Sequence, residues 1–245
     1  MWDSPQFLSF HLNQKNPNFK ISRIMTTTTI SRHDFYGDDG DPETSISVSV
    51  IENMKEEYGL FVWPCSVILA EYVWQHKSRF RGSSILELGA GTSLPGLVAA
   101  KVGANVTLTD DSSKPEVLEN MRSVCELNKL NCNVMGLTWG VWDATIFDLR
   151  PNIILGADVL YDSSAFDDLF ATVSFLLQMS PGAVFITTYH NRSGHHLIEF
   201  LMVKWGLKCV KLVDGFSLLP SRKASLLTGN IQLVEIVLSC TTSAT

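Results

Sequence analysis

A chain of 245 residues accommodates one sizeable α/β domain and is short for two complete ones, so a single active site is expected. The formal charge of −6, a pI near 5.5 and the lack of a long Lys/Arg run argue against tight nonspecific nucleic-acid binding, and suit a basic protein or peptide as partner. Cys65, Cys125, Cys132, Cys209 and Cys240 are scattered and never spaced as CxxC, which indicates neither a disulfide framework nor a zinc site, and no apolar run reaches the roughly 18 residues of a membrane-spanning helix.

Residues 1 to about 44 mix Asn, Pro, Gly and Asp with a Thr run at 26–29, show no sustained periodicity, and read as a disordered segment outside the fold. They lack the apolar core of a secretory signal. Over the opening 33 residues, Lys15, Lys20, Arg23 and Arg32 against the single Asp3 are a weak organelle-targeting feature, and Met25 offers an alternative start. The expected compartment is a reducing one, cytoplasm or nucleus.

The ordered domain, residues 45–245, begins where apolar and polar residues alternate in Ile46-Ser47-Val48-Ser49-Val50, the period of a half-buried strand. Pro64 suits a first helical turn. Val67, Ile68, Tyr72 and Gln75 follow it at helical spacing, leaving Glu71, His76 and Lys77 to face solvent. Strand and helix signals then alternate: Ser84–Leu88, helix Leu94–Val102, Asn105–Thr109, helix Pro115–Asn128, Cys132–Leu137 and Asn152–Ala157. A helix near Ser164–Met179, a strand at Ala183–Tyr189 and a helix near Ser193–Trp205 come next, before strands at Leu207–Val213 and Ile231–Ser239. No amphipathic helix separates the last two strands, so they can pair antiparallel. The expected fold class is α/β: a doubly wound, mostly parallel seven-strand sheet with a C-terminal antiparallel hairpin.

The strongest local signal is Ile85 to Gly96, a buried strand entering a glycine turn and then a helix. Gly89 and Gly91 let a small molecule approach the backbone, and Glu87 stands near the carboxyl end of the strand, where α/β sheets place ligands. Leu94 occupies the place of the third glycine of the dinucleotide fingerprint, which disfavours NAD. Asp110 follows the next strand, where a carboxylate can accept from both hydroxyls of a ribose, and Asp111 and Ser112 can share that role. Trp139 follows a later strand and Trp63 precedes Pro64. Asp158-Val159-Leu160-Tyr161 follows the strand Ile153–Ala157. His190 can carry protons from a loop after the next strand, while His195 and His196 show no metal pattern.

In order and spacing, ELGAGTSLPG at 87–96, VTLTDD at 106–111, GLTWG at 136–140 and GADVLY at 156–161 resemble the seven-strand methyltransferase-like family that modifies lysine and related side chains. YGLFVWPCSVILAEYV at 58–73 adds an upstream motif, and the resemblance covers about Glu57 to Ser239. It implies the class I methyltransferase fold with S-adenosyl-L-methionine as cofactor. It assigns Glu87, Gly89 and Gly91 to the cofactor site, Asp110 to the ribose, Trp139 to the adenine and Trp63 to the cover over the cofactor. Asp158 and Tyr161 form its D-x-x-Y element beside the transferred methyl, Asp158 also belonging to the cofactor site, with no metal ligand.

Within that resemblance the nearest members imply arginine, in a histone tail, and the wider family implies lysine. The loop with paired glutamates that grips guanidinium in the main arginine methyltransferases is missing, leaving Glu57, Asp158 and Asp162 as carboxylates for that task. Val159 and Leu160 stand where enzymes acting on nucleobase amino groups carry two prolines, so direct nucleic-acid binding is not expected. Two other classes remain: a noncatalytic protein with this fold that regulates a chaperone or transcription complex, and a small-molecule methyltransferase.

Overall fold

The computed structural model describes residues 28–37, 45–53, 58–191 and 195–239. The chain opens with strands β1 (Thr28–Phe35) and β2 (Ile46–Asn53), then helices α1 (Pro64–Gln75) and α2 (Lys77–Phe80). There follow β3 (Ser84–Glu87), α3 (Leu94–Lys101), β4 (Asn105–Asp110), α4 (Pro115–Leu127), β5 (Asn133–Gly136) and β6 (Ile153–Ala157). The last elements are α5 (Phe166–Met179), β7 (Val184–His190), α6 (His195–Lys204), β8 (Leu207–Asp214), α7 (Ser221–Ala224) and β9 (Ile231–Leu238).

Seven strands form one sheet in the order β5-β4-β3-β6-β7-β9-β8. Neighbours from β5 to β7 are parallel, and β9 runs antiparallel to both β7 and β8. The expected sheet and its antiparallel closure are therefore present. Adjacent strand residues serve opposite faces: Ile85 belongs to the core shared with α1, α3 and α4, whereas Leu86 belongs to the core that holds Phe170 of α5 and Leu201 of α6. Because both faces are covered, strands such as Ile153-Ile154-Leu155 are continuously apolar. Strand order reverses between β3 and β6. Their carboxyl ends therefore border a crevice, the position at which doubly wound sheets bind ligands.

The expectation that the chain lies outside the fold up to residue 44 does not hold for β1. It pairs antiparallel with β2 from Thr28 opposite Asn53 to Phe35 opposite Ile46. A two-stranded ribbon is marginal alone, and this one is held by packing: Phe35, Val48 and Val50 are completely buried in the main core. The Trp74 indole N–H donates to the Tyr36 carbonyl at 2.7 Å, and the Lys223 ammonium lies 4.0 Å from the centre of the Phe35 ring. Polar Ser31, Arg32 and Asp34 hid the strand from a periodicity reading. Lys15, Lys20, Arg23 and Met25 lie outside the described residues.

Two expectations for α1 are also corrected. Glu71, expected in solvent, is 2% exposed and accepts from the Lys223 ammonium at 2.8 Å, while Gln75, expected on the apolar face, is exposed. Tyr72 donates to Glu235 of β9 at 2.6 Å, and Arg79 forms two 2.8 Å bonds to the same carboxylate. These bonds tie α1 and α2 across to β9. The Arg79 guanidinium, assisted by the Tyr72 hydroxyl, pulls Glu235 down to about 2.

Candidate active site

The turn after β3 is shaped by left-handed backbone. Gly89 and Gly91 have φ values of 58° and 50°, and a Cβ on Gly91 would lie 2.8 Å from the Gly59 carbonyl oxygen. A Cβ on Gly89 would stand 3.1 Å from the Trp139 ring. The loop is thus pressed between the segment entering α1 and the segment after β5, and only glycine fits these contacts.

Asp110 closes β4 beside that turn. One carboxylate oxygen accepts from the Gly91 N–H and the other from the Asp111 N–H, both at 2.8 Å. Each oxygen keeps a second acceptor direction. Burial raises the Asp110 pKa, and the two N–H donors oppose that shift. Asp111 is held below the ordinary carboxylate range by the Ser113 N–H, with further help from the Thr138 and Ser113 hydroxyls.

Glu87 is placed differently from the expectation that it faces the cofactor. It is 1% exposed, does not line the cavity, and accepts from the Gly96 N–H of α3 at 2.9 Å. Burial pushes it up to about 8. It braces the helix behind the glycine turn, because the side chain of the last β3 residue points into the core under α3 and not toward the crevice.

A cavity of about 820 Å³ opens over the carboxyl ends of β3, β4 and β6. Gly89, Gly91, Asp110, Trp139, Trp63 and Asp158 all line it, so the tertiary structure gathers these sequence-level candidates at one place. Trp139 is partly buried against the second core, and the following Gly140 N–H donates to the Thr172 hydroxyl at 2.9 Å. Trp63 is the residue before α1 and meets Phe61 edge-on at 5.4 Å between ring centres.

Asp158 adopts a left-handed φ of 56°, one of three non-glycine cases among the described residues. Its N–H donates to the Thr188 carbonyl at 2.8 Å, which holds the turn after β6 against β7. Asp tolerates this region better than most residues, and such backbone concentrates at functional sites. Tyr161 also lines the cavity and is 61% exposed. Partial burial raises its hydroxyl pKa, followed by the charges of Asp110, Asp162 and Asp158. Asp162 lines the cavity but already accepts from Ser164, and Glu57 lies outside the described residues.

Sequence reasoning missed Phe61, Thr138 and Asp168 as wall residues. Asp168 sits in the first turn of α5, where an acidic residue reads as an ordinary response to the helix dipole. With it, five aspartates line the cavity (110, 111, 158, 162 and 168), and among the described residues no Lys or Arg does. Such a wall is complementary to cationic ligands. Glycine backbone, buried carboxylate acceptors, flat indole rings and surplus negative charge together suit S-adenosyl-L-methionine, which carries ribose hydroxyls, a purine and a cationic sulfonium.

Residues 43–204 match the family model described as lysine methyltransferase. Over 182 residues, 74% of this chain and 78% of the relative, the sequence is 43% identical to the histone-arginine methyltransferase METTL23 of Xenopus laevis. It is 39% identical to the protein N-lysine methyltransferase METTL21A of Mus musculus over 120 residues, 47% of this chain and 54% of that one. Among solved structures, the CcbJ methyltransferase of Streptomyces caelestis superposes with a TM-score of 0.57 at 12% identity, over 76% of this chain and 94% of its own. A Thermus thermophilus 16S rRNA methyltransferase gives 0.55 at 17% identity, over 86% and 50%. These two likenesses concern the fold. Over its extent and identity, the sequence match goes further: the chain belongs to the lysine methyltransferase family and is a protein N-methyltransferase that uses S-adenosyl-L-methionine.

Proposed function

We propose that the chain methylates an arginine side chain in a basic protein segment such as a histone tail, with Asp158 and Tyr161 at the transfer edge of the cavity. The observation that carries this reading is the wall of five aspartates, with no Lys or Arg lining it among the described residues. Arginine is preferred to lysine because the histone-arginine relatives match more of the chain at higher identity than the N-lysine relative does. Lysine is the second reading, favoured by the description of the matching family.

The cofactor supplies a methyl group on a cationic sulfur, and that sulfur leaves as a neutral thioether. The protein's task is to bring a nitrogen lone pair into line with the methyl–sulfur bond and to exclude water. Asp110 accepts from the ribose hydroxyls, and Trp139 and Trp63 cover the adenine and the cofactor. Gly89 and Gly91 admit the cofactor to the backbone, and Glu87 supports that turn from behind. Asp158 accepts N–H bonds from the guanidinium and orients the attacking nitrogen, with Asp162 as its nearest helper in sequence. Guanidinium stays protonated in ordinary sites, so a carboxylate acceptor lowers the cost of releasing the proton as the new N–C bond forms. Tyr161 forms an exposed side of the acceptor channel.

Among the described residues no helix is long and apolar enough to cross a membrane. The reading places the chain in cytoplasm or nucleus, where cysteines stay reduced. A role as a regulator of a chaperone or transcription complex is the noncatalytic alternative. The test is incubation of the full chain with methyl-labelled cofactor and core histones or whole-cell protein, followed by mass spectrometry. Label on a defined arginine is expected, reduced about 100-fold or more in Asp158→Ala with cofactor affinity retained. Label on lysine alone selects the second reading, and transfer unchanged in Asp158→Ala removes the role given to that residue.

A further inference from the structure

Cys65, Asp158 and His190 each offer a metal-ligand atom, and the three atoms lie within 4.8 Å of one another. They come from separate elements: the second residue of α1, the turn after β6 and the last residue of β7. Thr188 joins all three backbones. Its carbonyl accepts from the Asp158 N–H at 2.8 Å, its hydroxyl donates to the Cys65 carbonyl at 2.9 Å, and it stands two residues before His190 in the same strand. Thr188 is completely buried, so this brace is shielded from water. The His190 ring is seated against the loop before β9, where a Cβ on Gly229 would come 2.9 Å from Cε1.

We propose that these three side chains form a binding site for a divalent cation of the zinc class. A sulfur, nitrogen and oxygen donor set suits zinc and its borderline-soft neighbours, whereas magnesium and calcium take oxygen donors. Zinc bonds of about 2.0–2.3 Å in a tetrahedron put ligand atoms roughly 3.3–3.8 Å apart, so small side-chain rotations bring this cluster onto the metal. Asp158 and Ser66, the neighbour of Cys65, line the cavity, which provides the path of entry. Binding releases the Cys65 thiol proton to solvent and leaves a coordination position for water. The ion also engages the carboxylate of Asp158. Resting on the proposed catalytic role of Asp158, occupancy of this site suppresses methyl transfer.

The experiment is a cobalt titration of the full-length chain, stripped of metal and kept reduced by a non-coordinating phosphine. The expected result is a thiolate-to-cobalt charge-transfer band with tetrahedral ligand-field bands. Cys65→Ser abolishes the charge-transfer band, and His190→Gln weakens binding by at least the roughly tenfold that loss of even an outer-shell partner costs. Circular dichroism checks both variants, and His190→Gln carries the test if Cys65→Ser is misfolded. Cobalt bound without the charge-transfer band, or a band that survives in Cys65→Ser, overturns the site. This readout requires no transfer activity, so it stands or falls separately from the proposed function. Zinc is then expected to inhibit transfer by the unaltered chain and not by Cys65→Ser. Equal inhibition of the two overturns the regulatory consequence.

Discussion

The carboxylates on the two sides of α1 are treated in opposite ways. Toward β9 and α7, Glu235 is matched by Arg79 at 2.8 Å and Lys211 at 3.5 Å, and Glu71 by Lys223 at 2.8 Å. In the cavity, none of Asp110, Asp111, Asp158, Asp162 and Asp168 has an ion pair among the described residues, and Asp110, Asp111 and Asp162 accept from N–H and hydroxyl donors. The first region compensates its own charge and contributes to folding. In the second, the charge of Lys114 acts on Asp110 and Asp111 without an ion pair to either among the described residues, and the remaining compensation is left to cationic ligands.

The largest expected effect breaks the compensated side. Arg79→Ala should destabilise the fold by about 2–3 kcal/mol, less than a fully buried pair because Arg79 is partly exposed and Lys211 remains near Glu235. Denaturant unfolding of the purified chain measures this loss. Glu235 ionises far below its ordinary value of 4.5, at about 2. Its contribution is therefore present above pH 4.5 and lost as pH falls toward about 2, and the unfolding difference between the two proteins should shrink over that window.

On the uncompensated side, Asp110→Ala should weaken cofactor binding by about 1.5–2 kcal/mol, roughly 10- to 30-fold, because it removes charged acceptors offered to the ribose. Calorimetry with S-adenosyl-L-methionine checks this, and unchanged affinity would remove the ribose role. Glu87 sharpens the contrast, since it is buried without a cation and ionises near 8, above its ordinary 4.5. The folded state holds the proton more tightly than the unfolded chain, so this group's contribution falls as pH rises from 4.5 through about 8. Glu87→Gln can still accept from Gly96 and should be about 1–2 kcal/mol more stable than the parent at pH 8.5, with no gain near pH 5. Unfolding at the two pH values tests that sign. Tyr161→Phe should have the smallest effect, a change in transfer below about 1 kcal/mol, because an exposed hydroxyl contributes little beyond the ring. A larger fall in kcat would show that the hydroxyl touches the acceptor.

Several features were legible in the residues themselves. Apolar runs bounded by Gly and Pro located the seven main strands to within one or two residues, as with the strand expected at Asn152–Ala157 and found at Ile153–Ala157. The glycine turn and Asp110 were marked because each lies just after a strand, and parallel strands deliver such positions to one edge, whereas Trp139 and the Asp158–Tyr161 segment took their roles from the family resemblance. Local periodicity and turn chemistry determine these features, since they depend on neighbours in the chain.

Tertiary structure alone decided the rest. β1 became part of the fold because Phe35 finds α1 and Lys223, and Glu71 could be buried only once Lys223 arrived from α7. Glu87 lies behind the turn because of the direction its side chain takes beneath α3. Asp168 joined four other aspartates when α5 docked beside the sheet, and Cys65, Asp158 and His190 met although no spacing motif connects them. In each case the partner is remote in sequence. The free energy of the contact depends on strand order and helix docking, which residue-by-residue periodicity does not contain.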